Sequence, residues 1–207
     1  MPILPEINPG RVDWSGENPG ILLKKEADGP FSAMALFFRI NYSPAGRGHA
    51  LLLFEDPQDE CNTANVRNVM ISDNRALANY LIDNFIVKLA AFSGAPAFKA
   101  MQHIDATNVV SDGDHRKVYT ETITTADFVV ELEWAELGEP VALELSPDLT
   151  GPKDREMYTL LVESKKAAIR IDGKALPGEP APRVQAGIET TTAFLYFAET
   201  WIEPKNS

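Results

Sequence analysis

The stretch 33–42 (AMALFFRINY) alternates with a two-residue period: Met34, Leu36, Phe38, Ile40 and Tyr42 share one face, and Ala35, Phe37, Arg39 and Asn41 the other. That is the period of a β-strand, whose successive side chains point to opposite sides. Pro44-Ala45-Gly46 supplies a turn, and 49–55 (HALLLFE) returns as the partner strand. Both faces of this hairpin are largely apolar, which makes it central rather than solvent-facing. A third strand is expected over 66–71.

The period then lengthens. Leu77, Leu81, Phe85, Leu89 and Phe92 recur every three or four residues, one stripe of an amphipathic helix at about 74–92. Ser72 or Asp73 can cap its start by accepting orphan backbone N–H groups, and Gly94 and Pro96 end it.

From residue 100 the two-residue alternation returns. Tight reversals at Asp112-Gly113, Thr125-Ala126 and Leu137-Gly138 would give a four-stranded meander over 101–145. Those registers collect Ile104, Tyr119, Ile123, Val130, Leu132, Trp134 and Leu143 on one face, with Glu121 as the main exception. They collect His103, Asp105, Thr120, Glu131, Glu133 and Glu144 on the other. A one-residue slip at any turn would mix the two sets, so their separation supports the registers. Further on, Met157–Glu163 and Ala167–Ile171 read as a pair about Lys165-Lys166, Asp172-Gly173 as a turn, 177–182 as a loop and 188–202 as a long final strand.

Residues 1–30 hold five prolines and four glycines, a density that predicts an irregular segment pinned to the body by Trp14. The expected fold is mainly β: an antiparallel β-barrel or two-sheet sandwich of about nine or ten strands with one amphipathic α-helix, forming a single domain over 1–207.

Charge narrows the function classes. Thirty acidic against 19 basic residues give a net charge of −11. Nucleic acid and anionic membranes would be repelled by that field, and the densest basic runs are only Lys24-Lys25 and Lys165-Lys166. The single cysteine, Cys61, permits no internal disulfide and suits a reducing, cytoplasmic setting. No basic, apolar leader precedes the body, and no run approaches the roughly 18 apolar residues of a membrane span.

Catalytic and cofactor motifs are sparse. There is no GxGxxG, GxxxxGK[ST] or GxSxG, so no dinucleotide, P-loop or α/β-hydrolase reading arises and no cofactor is expected. Cys61 follows Asp59 and Glu60, whose charges oppose a thiolate. The three histidines, His49, His103 and His115, lack metal-ligand spacing, and no metal site is expected.

Two features could carry chemistry. In the meander registers Asp105, Thr120, Glu131 and Glu144 form one row, with opposed side chains about 5 Å apart. Carboxylates that close can share a proton or divide acid and base roles, and His103 lies one step from Asp105. The second feature is Arg39, which shares its face with Phe37 in a strand that looks central. A buried guanidinium needs an anionic partner, either a structural carboxylate or the carboxylate or phosphate of a ligand.

Three functions follow. The first is a β-barrel-like protein binding a small organic acid or amphiphile, with Arg39, Phe37 and Tyr196 at the ligand. The second is a hydrolase or isomerase using Glu131, Glu144, Asp105 and His103. The third is a non-catalytic homodimeric interaction module.

Overall fold

The computed structural model describes residues 11–61 and 66–202. The strands run β1 Arg11–Glu17, β2 Gly20–Lys24, β3 Phe31–Tyr42, β4 Gly48–Phe54, β5 Asn68–Ser72, β6 Gln102–Asp105, β7 Asn108–Asp114, β8 Val118–Thr124 and β9 Val129–Leu137. They continue with β10 Val141–Leu145, β11 Arg155–Ile171, β12 Lys174–Ala175, β13 Glu179–Pro180, β14 Pro182–Gln185, β15 Ile188–Thr191 and β16 Ala193–Ile202. One α-helix, α1 Arg75–Asn84, follows β5.

The doubly apolar hairpin β3–β4 organises everything else. It lies in a large sheet of order β6-β5-β4-β3-β1-β16-β11-β9-β8-β7, antiparallel throughout except for the parallel pair β5–β6. One face of β3, carrying Met34, Leu36, Phe38 and Ile40, packs with α1 and the chain after it. The other face, carrying Ala33, Ala35 and Phe37, packs with Ile123, Val130, Leu132 and Trp134 from β8 and β9. A strand apolar on both faces is thereby buried on both faces, with helix on one side and sheet on the other.

The sheet folds back on itself where residues 106–107 step between its two ends. The Ala106 N–H donates to Ser72 O at the β5 edge, and the next residue, Thr107, donates its N–H to Thr124 O on β8. The long strand β11 passes from one layer to the other, pairing with β16 over its first half and with β9 over its second, as in sandwiches whose strands switch sheets. Among the described residues the chain is mainly β with one α-helix, in a sandwich- or barrel-like arrangement.

The helical face is anchored at β1. Trp14 meets Phe38 and Phe85 edge-on, with ring centroids 5.9 and 5.2 Å apart. Such pairs add about 0.5–1.5 kcal/mol each beyond area burial. Beside them the buried Asp13 pairs with Arg155 of β11 and accepts from the Tyr80 hydroxyl of α1. Burial and the Asp13 charge push that hydroxyl well above the ordinary tyrosine range.

Several sequence expectations need correction. Residues 11–17 and 20–24 are strands, not irregular chain; Pro19 stands in the two-residue link between them, where no ladder N–H is needed. Residues 1–10 lie outside the described residues. The helix occupies 75–84 rather than 74–92: Phe85 leaves helical geometry (φ −131°), and a 3₁₀ turn follows at Ile86–Lys88. The apolar stripe misled because Phe85 and Phe92 bury the same face from irregular backbone. Asn74 is the N-cap, accepting from Leu77 N–H, whereas Asp73 is engaged by His49.

The meander is also different. Gly113 lies inside β7, where its φ of +94° and close approach to the Val118 carbonyl require glycine; the reversal comes after Asp114, whose carboxylate accepts from Arg116 N–H. β6 pairs with β5 rather than entering the meander. β9 and β10 do not pair with each other: both lie against β11, β10 along Met157–Leu161 and β9 along Ser164–Ile171. The two segments about Lys165-Lys166 are one continuous strand of 17 residues. The alternation itself survives, with Leu132 and Trp134 fully buried and Glu131 and Glu133 partly exposed.

Candidate functional site

The proposed carboxylate row does not assemble. Glu131 pairs across the ladder with Arg170, Glu144 with Tyr158, and Thr120 with Glu133. Asp105 ends β6 in another part of the sheet, beside Ser72. His103, two residues before it, is partly buried; its carbonyl accepts from Arg75, and burial and that nearby cation lower its pKa. The expected registers placed consecutive strands side by side, whereas β11 receives both β9 and β10, and β6 lies against β5.

Arg39 resolves into a structural network. Its Nη2 lies 2.6 and 2.9 Å from the two oxygens of Glu121, the carboxylate that stood out on the apolar face of β8. Glu121 is fully buried and also accepts from the hydroxyls of Tyr119 at 2.7 Å and Ser111 at 3.0 Å. Arg39 Nη1 donates to His49 Nε2 at 3.0 Å, and His49 Nδ1 lies 2.6 Å from Asp73. With Nε2 accepting from an arginine, the proton belongs on Nδ1, facing the carboxylate. Phe37 is buried below, stacked on His49, with the guanidinium over its ring. A network this well satisfied has little donor capacity left for a ligand.

The opposite condition holds on the helical face. Because α1 stops at Asn84, the chain from Phe85 to Phe92 covers only part of that face. The remaining gap is a cavity of about 430 Å³, bounded by Leu22 and Leu36 of β2 and β3, the loop between β10 and β11, the inner end of β16, and the hairpin β14–β15. Its floor is apolar: Leu22, Leu36, Phe85, Phe92, Leu145 and Met157. Its charged lining residues are Lys88, Lys153 and Arg183; among the described residues no Asp, Glu, His or Cys lines it.

Local structure fixes the polar groups. Asn18 occupies the link between β1 and β2, and its backbone N–H donates to Tyr196 O at 3.0 Å. Ala186 and Gly187, both at positive φ, turn the chain between β14 and β15, so the alternating side chains Arg183 and Gln185 share one side while Val184 faces solvent. Arg183 lies over the ring of Phe194 at 4.6 Å, and Phe194 in turn lies 4.5 Å from Tyr196. Gly20 makes room for this stack: a Cβ there would fall 2.6 Å from the Phe194 ring.

These polar groups are unsatisfied. Arg183 Nε and Nη2, Tyr196 Oη, Gln185 Oε1 and Asn18 Oδ1 are all buried without a hydrogen-bond partner. Arg183 and Gln185 both lie close enough to Tyr196 for hydrogen-bonding contact to act on its hydroxyl, but these contacts fall short of full hydrogen-bond geometry, and Arg183 Nε and Nη2, Tyr196 Oη and Gln185 Oε1 stay without a well-formed bond. Burial lowers the Arg183 pKa and pushes the Tyr196 hydroxyl up to about 12. Buried polar atoms in native proteins are ordinarily paired, so a cluster without protein partners singles this cavity out as the candidate site.

Tyr196 was expected at a ligand and lines this cavity; Arg39 and Phe37 do not. Arg183, Gln185, Asn18, Lys88 and Lys153 escaped the sequence reading. The only signal was the alternation Arg183-Val184-Gln185 before Ala186-Gly187, and alternation does not say which face looks inward. No protein-family model, curated protein or solved structure matches this chain, so the cavity's own residues carry the functional argument.

Proposed function

We propose that this protein binds a small amphiphilic carboxylic acid in the cavity of its helical face. One observation carries the reading: in a chain of net charge −11, the cavity is lined by three cations and no carboxylate, and although Lys88 pairs with Asp154 beyond the lining, the most buried cation, Arg183, has unmade hydrogen bonds. Nε and Nη2 form one edge of the guanidinium, with two parallel N–H donors. That edge matches the two oxygens of a carboxylate. The Tyr196 hydroxyl stands beside it as a further donor, while Leu22, Leu36, Phe85 and Met157 offer an apolar bed for the rest of the molecule.

Allowing roughly 30 Å³ per heavy atom, by analogy with water's share of liquid volume, the cavity admits on the order of fourteen heavy atoms. That is the size of a medium-chain fatty acid, for which an affinity on the order of micromolar is expected. No Asp, Glu or His lines the cavity among the described residues, which favours retention of the ligand over acid–base turnover.

Calorimetry with decanoate, decanol and decylamine tests the reading. Decanoate should bind most tightly, decanol at least tenfold more weakly, and decylamine not measurably. Equal binding of all three would reduce the cavity to a nonspecific apolar hole, and no binding of decanoate would refute the reading.

A further inference from the structure

We infer that the acid bound here carries a hydrogen-bond donor close to its carboxylate, as an N-acyl amino acid does, rather than a bare hydrocarbon tail. This rests on the carboxylate-binding reading and goes one step beyond it.

A plain fatty acid satisfies only part of the cavity. Its two oxygens are acceptors, and they match Arg183 Nε, Arg183 Nη2 and the Tyr196 hydroxyl. Two of the unpartnered atoms are acceptors themselves: Asn18 Oδ1, on a side chain only 3% exposed, and Gln185 Oε1. A carboxylate gives them nothing. A buried acceptor left unmet carries the full desolvation penalty of that group. A ligand meeting donors and acceptors together therefore gains from both.

The placement of Asn18 keeps its side-chain amide at the cavity. Its backbone N–H is bonded to Tyr196 O, and Pro19 follows it, so the backbone of the link between β1 and β2 is restrained where the side chain enters the cavity lining. Gln185 approaches from the hairpin, one side-chain step beyond Arg183 on the same face. Both amides border the same cavity as the guanidinium. An acyl chain on the apolar floor, an amide N–H for one of the two amide oxygens, and a carboxylate for Arg183 and the Tyr196 hydroxyl meet all but one of these atoms.

The test compares two molecules of equal size. N-octanoylglycine has an amide N–H; octanoyloxyacetate replaces it with an ester oxygen and is otherwise the same. Dodecanoate, with as many heavy atoms, serves as the plain acid. Calorimetry on the full chain should give N-octanoylglycine at least tenfold tighter than the ester. With Asn18→Leu and Gln185→Leu each measured, the amide-to-ester ratio should collapse to about twofold in the variant that loses the acceptor used.

Equal affinity for amide and ester in the unaltered protein would overturn the inference while leaving the carboxylate reading intact. So would an amide preference that survives both substitutions. Failure of all three acids to bind would instead remove the reading on which the inference stands.

Discussion

Arg183 lies over the face of Phe194, its guanidinium carbon 4.6 Å from the ring centroid, with its Nε–Nη2 edge buried and unbonded. The ring supplies cation–π attraction and excludes water from one side. It cannot replace the hydrogen bonds that the edge has lost. Buried donors without partners carry a desolvation cost, so this edge bears on stability as well as on the proposed binding.

Replacing this arginine should therefore separate the two properties. In Arg183→Met the side chain still covers Phe194, but the buried, unpaired donors are gone. The ligand-free protein should become more stable, by about 1 kcal/mol or more, while decanoate affinity falls at least tenfold. Urea denaturation and calorimetry on the same preparation check both directions.

Glu121 should behave in the opposite way. It is fully buried and bonded to Arg39, Tyr119 and Ser111. Removing its charge in Glu121→Gln strands the guanidinium and should cost on the order of 3 kcal/mol. Decanoate affinity should not change, since neither Glu121 nor Arg39 borders the cavity. Denaturant midpoints, with calorimetry as the second readout, distinguish this structural pair from a ligand site.

Alkaline pH offers a third check. The folded protein holds Tyr196 protonated up to about 12, above the ordinary value near 10. A group whose pKa is raised by folding contributes stability that is complete below its unfolded pKa and is lost as pH rises through its folded one. The Tyr196 contribution should thus be intact below about pH 10 and fade through pH 12. In ultraviolet titrations of tyrosinate, Tyr196→Phe should remove one late-ionising group from the folded protein. A bound carboxylate, adding negative charge beside the hydroxyl, should delay that ionisation further.

Gly20→Ala tests the support beneath the arginine. The added methyl would press on the Phe194 ring and displace the stack that carries Arg183. Overpacking of this kind costs about 1–3 kcal/mol. The thermal midpoint should fall, and decanoate affinity should drop with it, although Gly20 does not line the cavity. An unchanged affinity would show that the position of Phe194 is immaterial to binding.

The same contrasts explain what could be read from the sequence. The β3–β4 hairpin was legible because Leu36 and Phe37 bury opposite faces, a pattern only a doubly covered strand tolerates. Arg39 and Glu121 were each conspicuous as a charge on an apolar face. Their union was not legible, because it crosses between layers over 82 positions of chain. The row through Glu131 and Glu144 failed because turn residues report that a chain reverses, not which strand it then joins; β11 is long enough to accept β9 and β10 in succession. The cavity left the faintest trace of all. It exists because α1 ends early at Phe85, and the stripe through Leu89 and Phe92 gives no sign of that ending.

The most direct measurement is a crystal structure with a ten-carbon ω-bromo fatty acid, its bromine located by anomalous scattering. The account predicts the carboxylate within about 3 Å of Arg183 Nε and Nη2, at hydrogen-bond distance, and the bromine among Leu22, Leu36, Phe85 and Met157. A bromine signal elsewhere on the molecule, or an acid lying in the cavity with its carboxylate turned away from Arg183, would contradict it.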